Sequence, residues 1–141
     1  MNRAVNWVLI DEKCDTILRC LQRIDKNKTQ TLTELRLDAD RQDIIVLNLE
    51  RAVQACVDVA SHFIAFSSFP APPTMSDSFD LLQMQGLISS TLALRLRKAV
   101  GLRNILVHEY TKIDWTILWI VLENHLCDFK DFVIQIRAHR S

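Results

Sequence analysis

Glycine and proline are scarce in this chain of 141 residues, which contains only two glycines and three prolines. Because these residue types supply most tight turns, a sheet built from many hairpins is not expected. All three prolines fall within residues 68–73, where they predict an extended connector. The chain is therefore predicted to be all-α, with long helices and few connectors.

Before this connector, apolar residues recur at steps of three and four in two series. The first runs from Trp7 to Ile24, and the second runs from Ile45 to Phe66. Each series predicts one amphipathic helix. The polar residues 26–33 are expected to separate the two helices.

After the connector, the sequence predicts a short helix over residues 78–85. Ser76 or Asp77 is a suitable N-cap, and Gly86 is expected to end the helix. A further helix is expected to start near Ser90.

The last predicted helix begins after Asp114, a suitable N-cap, and continues to Ile136 with His125 on its buried stripe. Residues 1–141 are thus expected to form a single domain. Its predicted architecture is an antiparallel up-and-down four-helix bundle with one additional short helix.

The seventeen basic and seventeen acidic side chains balance, so no global field attracts nucleic acid. Residues 81–108 nevertheless contain no acidic residue, and Arg95, Arg97 and Lys98 lie among them. These three side chains are candidates for binding RNA phosphates. The alternative, a solvated helix flank, is the commoner origin of a short basic run.

The four cysteines form no Cys-x-x-Cys pair and are expected to be reduced packing residues. No signal sequence or membrane span is expected, because the longest apolar run covers only residues 117–122. The predicted location is the cytoplasm. No histidine has metal-ligand spacing, so neither a metal nor another cofactor is expected. The cysteines are Cys14, Cys20, Cys56 and Cys127.

Arg103 interrupts the apolar pattern of its helix. The residues three and four positions away on both sides are all apolar. A guanidinium in that position is costly unless it is paired or faces a cleft where its charge is used. Arg103 is therefore the first candidate for a functional residue.

His108 follows Arg103 by five residues, so in an unbroken helix the two side chains point about 140° apart. Convergence requires either a loosening of the helix before His108 or the pairing of two copies. Asn104 adds a polar group able to orient either side chain or a phosphate oxygen.

The helix predicted over residues 115–122 is apolar on nearly every side, which favours a homodimer. Packing of the short third helix or of the proline-rich connector over this surface is the alternative.

An imidazole can take a proton from a ribose 2′-hydroxyl, and a guanidinium can stabilise the charge on the phosphorane. Arg103 and His108 could thus cleave RNA without metal, giving a 2′,3′-cyclic phosphate and a 5′-hydroxyl. Taken alone the pair is weak evidence, since a lone histidine near a helix end is more often a cap or a satisfied polar residue.

The run Gly-Leu-Arg-Asn-Ile-Leu-Val-His-Glu-Tyr at residues 101–110 closely resembles the HEPN superfamily. Within it, the chain resembles the HepT-like toxins of HepT/MntA toxin–antitoxin systems. The resemblance implies a dimeric, metal-independent ribonuclease with Arg103 and His108 in the catalytic places and Asn104 in the polar place. It also implies that a nucleotidyltransferase antitoxin adenylylates Tyr110, for which an interfacial aromatic is the alternative role.

The sequence therefore predicts a toxin that cuts RNA at a composite Arg/His site between two protomers. Its expected partners are a second copy, an MntA-like antitoxin and RNA. The alternative function is a non-catalytic helical subunit that binds nucleotide or substrate for a nucleotidyltransferase. A purely structural bundle, with Arg103 paired across an interface, is a third possibility.

Overall fold

The computed structural model describes residues 5–140, apart from the side chain of Tyr110. These residues form seven α-helices and one 3-10 helix, and no strand is found among them. The prediction of an all-α chain is confirmed. The elements are α1 (Trp7–Asn27), α2 (Leu32–Leu37), α3 (Ala39–Ala65), α4 (Met75–Met84), α5 (Ser90–His108), the 3-10 helix Tyr110–Lys112, α6 (Trp115–Asn124) and α7 (Cys127–Arg137).

Helix α3 is the central element, and it packs against α1, α2, α4, α5 and α7. Its side chains are buried around much of its circumference, as the apolar series from Ile45 predicts. The helix begins earlier than that series, because the side chain of Asp38 caps it by accepting a hydrogen bond from the Arg41 backbone N–H. The two long helices predicted before the connector are thus confirmed as α1 and α3.

Helix α2 was not predicted, and its first two residues belong to the stretch 26–33 that was expected to separate the two long helices. Thr31 caps it by accepting a hydrogen bond from the backbone N–H of Glu34. Leu35 is completely buried, and α2 packs against α3 and α6. A six-residue helix carries too few apolar positions to show a period in the sequence.

The short helix after the connector begins at Met75, so the cap predicted at Ser76 or Asp77 is wrong. Thr74 is the N-cap, and its hydroxyl accepts a hydrogen bond from the Asp77 backbone N–H. Gly86 follows the helix with a φ of 75°, a conformation that suits glycine. The predicted stop at this glycine is confirmed.

The single last helix expected from Asp114 to Ile136 is instead two helices, α6 and α7. Asp114 is the N-cap of α6 as predicted. The chain then turns after Asn124, and the buried carboxylate of Asp128 in the first turn of α7 bonds to Arg95 on α5. A polar anchor thus marks the start of α7. The described residues therefore form three long helices (α1, α3 and α5), the pair α6 and α7, and the two short helices α2 and α4.

Candidate functional site

Arg103 lies on α5 and reaches toward α3 and α4. Its Nη2 donates to Oε1 of Gln54 on α3 at 3.4 Å, and its Nη1 lies 4.0 Å from the sulfur of Met75 on α4. Its Nε is buried and has no hydrogen-bond partner. The cation expected on an apolar stripe is thus held between helices by a neutral amide.

Asn104 is hydrogen-bonded to Arg103 and lies on the helical face that carries His108. Its Oδ1 accepts a hydrogen bond from Arg103 Nη1 at 3.3 Å. It also precedes His108 by four residues, so these two side chains lie on the same face of α5. Arg97 and Gly101 belong to the same helical stripe, which exposes Gly101, Asn104 and His108 to solvent.

His108 is the last residue of α5 and is exposed. The helix does not loosen before it, since the Glu109 backbone N–H still donates to the Ile105 carbonyl at 2.8 Å. Arg103 and His108 therefore point about 140° apart on a regular helix. Of the two routes to convergence that the sequence leaves open, the one through a loosened helix is wrong.

Tyr110 is the predicted modification site, and its side chain lies outside the described residues. Its backbone opens the 3-10 helix that follows α5. Residue 110 therefore belongs to the segment that connects His108 with the start of α6.

Two of the three predicted RNA-binding side chains take part in ion pairs. Arg97 Nη1 lies 2.5 Å from Asp80 and 3.3 Å from Asp77, both on α4. Arg95 Nη1 lies 3.2 Å from the buried Asp128.

Lys98 is exposed and has no ion-pair partner among residues 5–140. The absence of acids from residues 81–108 therefore does not leave the whole segment positively charged, because acids from α4 and α7 lie against it.

A groove of about 350 Å³ opens between α5 and α6. Its walls are mainly apolar, and Arg95, Lys98 and His125 lie among its lining residues. Beside it, four apolar side chains are roughly half exposed, which defines the α5–α6 face. Its members are Leu94 (55%), Ile105 (43%), Ile117 (53%) and Ile120 (47%).

This exposure shows that neither α4 nor the proline-rich connector covers the α5–α6 face. Packing of the short third helix or of the proline-rich connector over this surface was the alternative to a homodimer, and it is wrong. Helix α6 packs instead against α2.

Polar residues of α3 that the sequence analysis missed lie close to Arg103. Burial raises the pKa of Glu50, whereas the charge of Arg103 acts to lower it. The Gln54 amide donates to Asp58 at 2.9 Å, and Asp58 pairs with Lys13 of α1 at 2.9 Å. Glu50, Gln54 and Asp58 recur at steps of four, which was the available sequence signal.

The other histidines lie apart from this network. His62 accepts a hydrogen bond from the Asn6 backbone N–H and packs edge-on against Phe66. His125 was expected in the core, but its side chain is 49% exposed and its Nδ1 lies 3.5 Å from Asp128. His139 is exposed beyond the end of α7.

Three of the cysteines are buried packing residues as predicted, and burial raises their thiol pKa values. Cys127 is exposed at the start of α7, so its predicted packing role is wrong. The buried cysteines are Cys14, Cys20 and Cys56.

Among the described residues, no group of three or more His, Cys, Asp or Glu side chains could hold a metal ion. Along residues 5–140, no helix combines the length and the hydropathy needed to cross a bilayer.

Comparison with known proteins finds similarity over nearly the whole chain. The family described as "Ribonuclease HepT-like" matches residues 17–136. The mRNA nuclease HepT of Shewanella oneidensis is 38% identical over 130 residues, which cover 92% of this chain and 97% of that protein. The tRNA nuclease HepT of Aphanizomenon flos-aquae is 26% identical over 132 residues, covering 94% of this chain and 90% of that protein.

A similar solved structure is that of the tri-AMPylated HEPN toxin of Shewanella oneidensis in complex with the MNT antitoxin. It superposes with a TM-score of 0.87 at 37% identity, covering 93% of this chain and 98% of the toxin chain. The likeness therefore extends over nearly the whole molecule rather than over the segment around Arg103 alone.

Proposed function

Because this chain belongs to the HepT-like ribonuclease family, we propose that it is the toxin of a toxin–antitoxin pair and cleaves RNA without a metal ion. Arg103 and His108 are its proposed catalytic residues, and Asn104 orients them. The single observation that carries this assignment is the contact of Asn104 with Arg103 on the face that Asn104 shares with His108.

The proposed reaction is an intramolecular transesterification in which the 2′-oxygen displaces the 5′-oxygen from phosphorus. The ribose 2′-oxygen attacks phosphorus while an imidazole takes its proton. The bond between phosphorus and the 5′-oxygen breaks, and that oxygen receives a proton, which leaves a 2′,3′-cyclic phosphate and a 5′-hydroxyl. The Arg103 guanidinium stabilises the negative charge that builds up on the phosphorane.

A second copy of the chain would supply the second proton-transfer group. One protomer offers only His108 at this position, whereas acid and base catalysis of both half-steps uses two groups. The α5–α6 face is apolar, half exposed and next to the stripe that carries Asn104 and His108. We therefore infer a two-fold homodimer that pairs through this face and forms one composite cleft.

The proposed antitoxin is a nucleotidyltransferase of the MNT type, and Tyr110 is its proposed site of adenylylation. The support is the similar Shewanella toxin, which was solved tri-AMPylated with its MNT antitoxin. An AMP group two residues after His108 would add bulk and negative charge where the RNA phosphate must bind.

Lys98 and Arg95 remain candidates for contacts with RNA phosphates, because both line the groove beside the α5–α6 face. Arg97 and Arg95 are weaker candidates than Lys98, since Arg97 already bridges two aspartates and Arg95 pairs with Asp128. The non-catalytic nucleotide-binding alternative is not favoured, because both named relatives are nucleases.

The test is cleavage of a labelled RNA by purified protein in excess chelator. Wild type is expected to cut, and His108→Ala and Arg103→Ala are each expected to lose at least about a hundredfold in rate. His139→Ala is the matched control, because that exposed histidine lies beyond α7. Transfer of labelled phosphate onto the products without prior phosphatase treatment would report the 5′-hydroxyl ends.

Light scattering should show that the His108→Ala variant retains the assembly state of the wild type. Undiminished cutting by both variants would refute the assignment of Arg103 and His108. Adenylylation at a residue other than Tyr110 in coexpressed protein, found by mass spectrometry, would refute the modification site.

A further inference from the structure

A polar stripe crosses α3 beneath Arg103. Glu50, Gln54 and Asp58 are only partly buried, whereas the residues around them on this helix are mostly buried and apolar. Their spacing of four residues places them on one helical face. This stripe is the part of α3 that Arg103 contacts, through Gln54.

Three successive contacts link α1, α3 and α5 through this stripe. Lys13 Nζ lies 2.9 Å from Asp58 Oδ2, Gln54 Nε2 donates to Asp58 Oδ1 at 2.9 Å, and Arg103 Nη2 donates to Gln54 Oε1 at 3.4 Å. A carboxylate only accepts hydrogen bonds and a guanidinium only donates them. The Gln54 amide is therefore oriented by its neighbours, with its nitrogen toward Asp58 and its oxygen toward Arg103.

We propose that Gln54 is the positioning residue for Arg103, and that the Asp58–Lys13 pair fixes the Gln54 amide. This inference rests on the proposed nuclease function. The Arg103 guanidinium is then held from two sides, by Gln54 at Nη2 and by Asn104 at Nη1. Its backbone helix alone would leave several rotatable bonds free.

The acceptor at position 54 is uncharged, which matters for the chemistry. A carboxylate there would form an ion pair with Arg103 and compete with the phosphate for its positive charge. An amide oxygen orients the guanidinium without neutralising it. Arg103 thereby keeps its charge for the phosphorane while its direction is fixed before RNA binds.

Three variants separate this role from a general effect on folding. Gln54→Met keeps the length and the helix propensity of glutamine but replaces the amide, and Gln54→Glu replaces the neutral acceptor with a charged one. Gln22→Met, at an exposed position of α1, is the matched control. Each protein is first checked for its thermal unfolding and its assembly state.

Gln54→Met is expected to lower kcat about 10- to 100-fold and to leave KM nearly unchanged, because positioning acts in the transition state. Gln22→Met should match wild type. In an Arg103→Lys background, Gln54→Met should cause less than a twofold further loss, because the group that it orients is already gone.

Gln54→Glu should also be slow at neutral pH. Its rate relative to wild type should rise as the pH falls toward 5 and the introduced carboxyl becomes protonated. Glu50, Asp58 and its partner Lys13 are present in both proteins, so the two rates differ only through the substituted side chain and its effect on these neighbours. A flat ratio would contradict the argument about the charge at position 54.

The two proposals fail in different ways. If wild type cuts RNA, Arg103→Ala does not, and Gln54→Met cuts as fast as wild type, then the positioning role is overturned and the nuclease assignment stands. If wild type does not cut, the nuclease assignment fails. NMR of the Arg103 side chain then still decides the contact, because Gln54→Met should increase the mobility of the Nε–H group, and unchanged mobility would overturn the positioning role.

Discussion

The ion pair between Arg95 and Asp128 joins side chains of very different exposure. We therefore expect removal of one partner to lower the free energy of unfolding more than removal of the other. The Asp128 side chain is 7% exposed, whereas that of Arg95 is 48% exposed. Removing Arg95 leaves a buried carboxylate whose remaining ion-pair partner among residues 5–140 is His125, at 3.5 Å. Neutralising Asp128 leaves a guanidinium that water can solvate.

The expected losses follow from this asymmetry. Arg95→Met should lower the free energy of unfolding by about 2 kcal/mol, which is in the range for stranding a buried acceptor of a charged hydrogen bond. Asp128→Asn should cost about 1 kcal/mol, because the amide keeps an acceptor and Arg95 is half solvated. The double variant should cost less than the sum of the two single losses.

The assay is urea unfolding followed by circular dichroism, with Lys130→Met on the exposed side of α7 as the control. The midpoint should fall most in Arg95→Met, and the slope of the unfolding curve should stay unchanged. A loss in Asp128→Asn that exceeds the loss in Arg95→Met, or additivity in the double variant, would refute the reasoning. It would mean that Asp128 stabilises the start of α7 independently of Arg95.

Two further predictions concern the glycines and His62. A Cβ added at Gly86 or Gly101 meets no atom within 4 Å. Gly86→Ala should therefore destabilise the protein by about 1 kcal/mol through its positive φ alone, whereas Gly101→Ala within α5 should stabilise it by up to about 1 kcal/mol. Urea midpoints of the two variants that move in the same direction would contradict this. Burial lowers the pKa of His62 in the folded protein, so the unfolded chain binds more protons and the free energy of unfolding should fall as the pH drops below about 6.5. His62→Gln should remove that part of the pH dependence, and an unchanged slope between pH 7 and pH 5 would exclude His62 as its source.

Periodicity predicted the long helices well because each buries one continuous apolar stripe. It failed where a polar contact between distant residues decides the backbone. The spacing of Leu122 and Phe129 is compatible with one helix, yet α6 ends and α7 begins between them. The buried Asp128 in the first turn of α7 bonds to Arg95 on α5. No pattern within residues 114–136 predicts that Asp128 pairs with Arg95, which lies about thirty residues earlier.

The candidate site was predicted only in part, because some of it also depends on contacts between residues that are distant in the sequence. Arg103 was identified because it contradicts the apolar pattern of its own helix, which is a local property. Its partner Gln54 comes from a helix 49 residues earlier. The spacing of Glu50, Gln54 and Asp58 was visible, but an amphipathic helix with a solvated polar stripe shows the same spacing. Only the packing of α3 against α5 distinguishes the two cases.

The distribution of charge around Arg103 indicates how an electrically neutral chain could act on RNA. Arg95 and Arg97 are paired with acids from other helices, so they cannot act as fully free cations. Arg103 contacts neutral groups instead, namely Gln54, Asn104 and the Met75 sulfur. Its charge also acts to lower the pKa of Glu50, but among the described residues these two side chains form no ion pair. A cation held by neutral partners keeps its attraction for phosphate, whereas a cation in an ion pair has largely lost it. Under the proposed nuclease function, selectivity for the scissile phosphate would depend on where charge is left unpaired rather than on how much charge the chain carries.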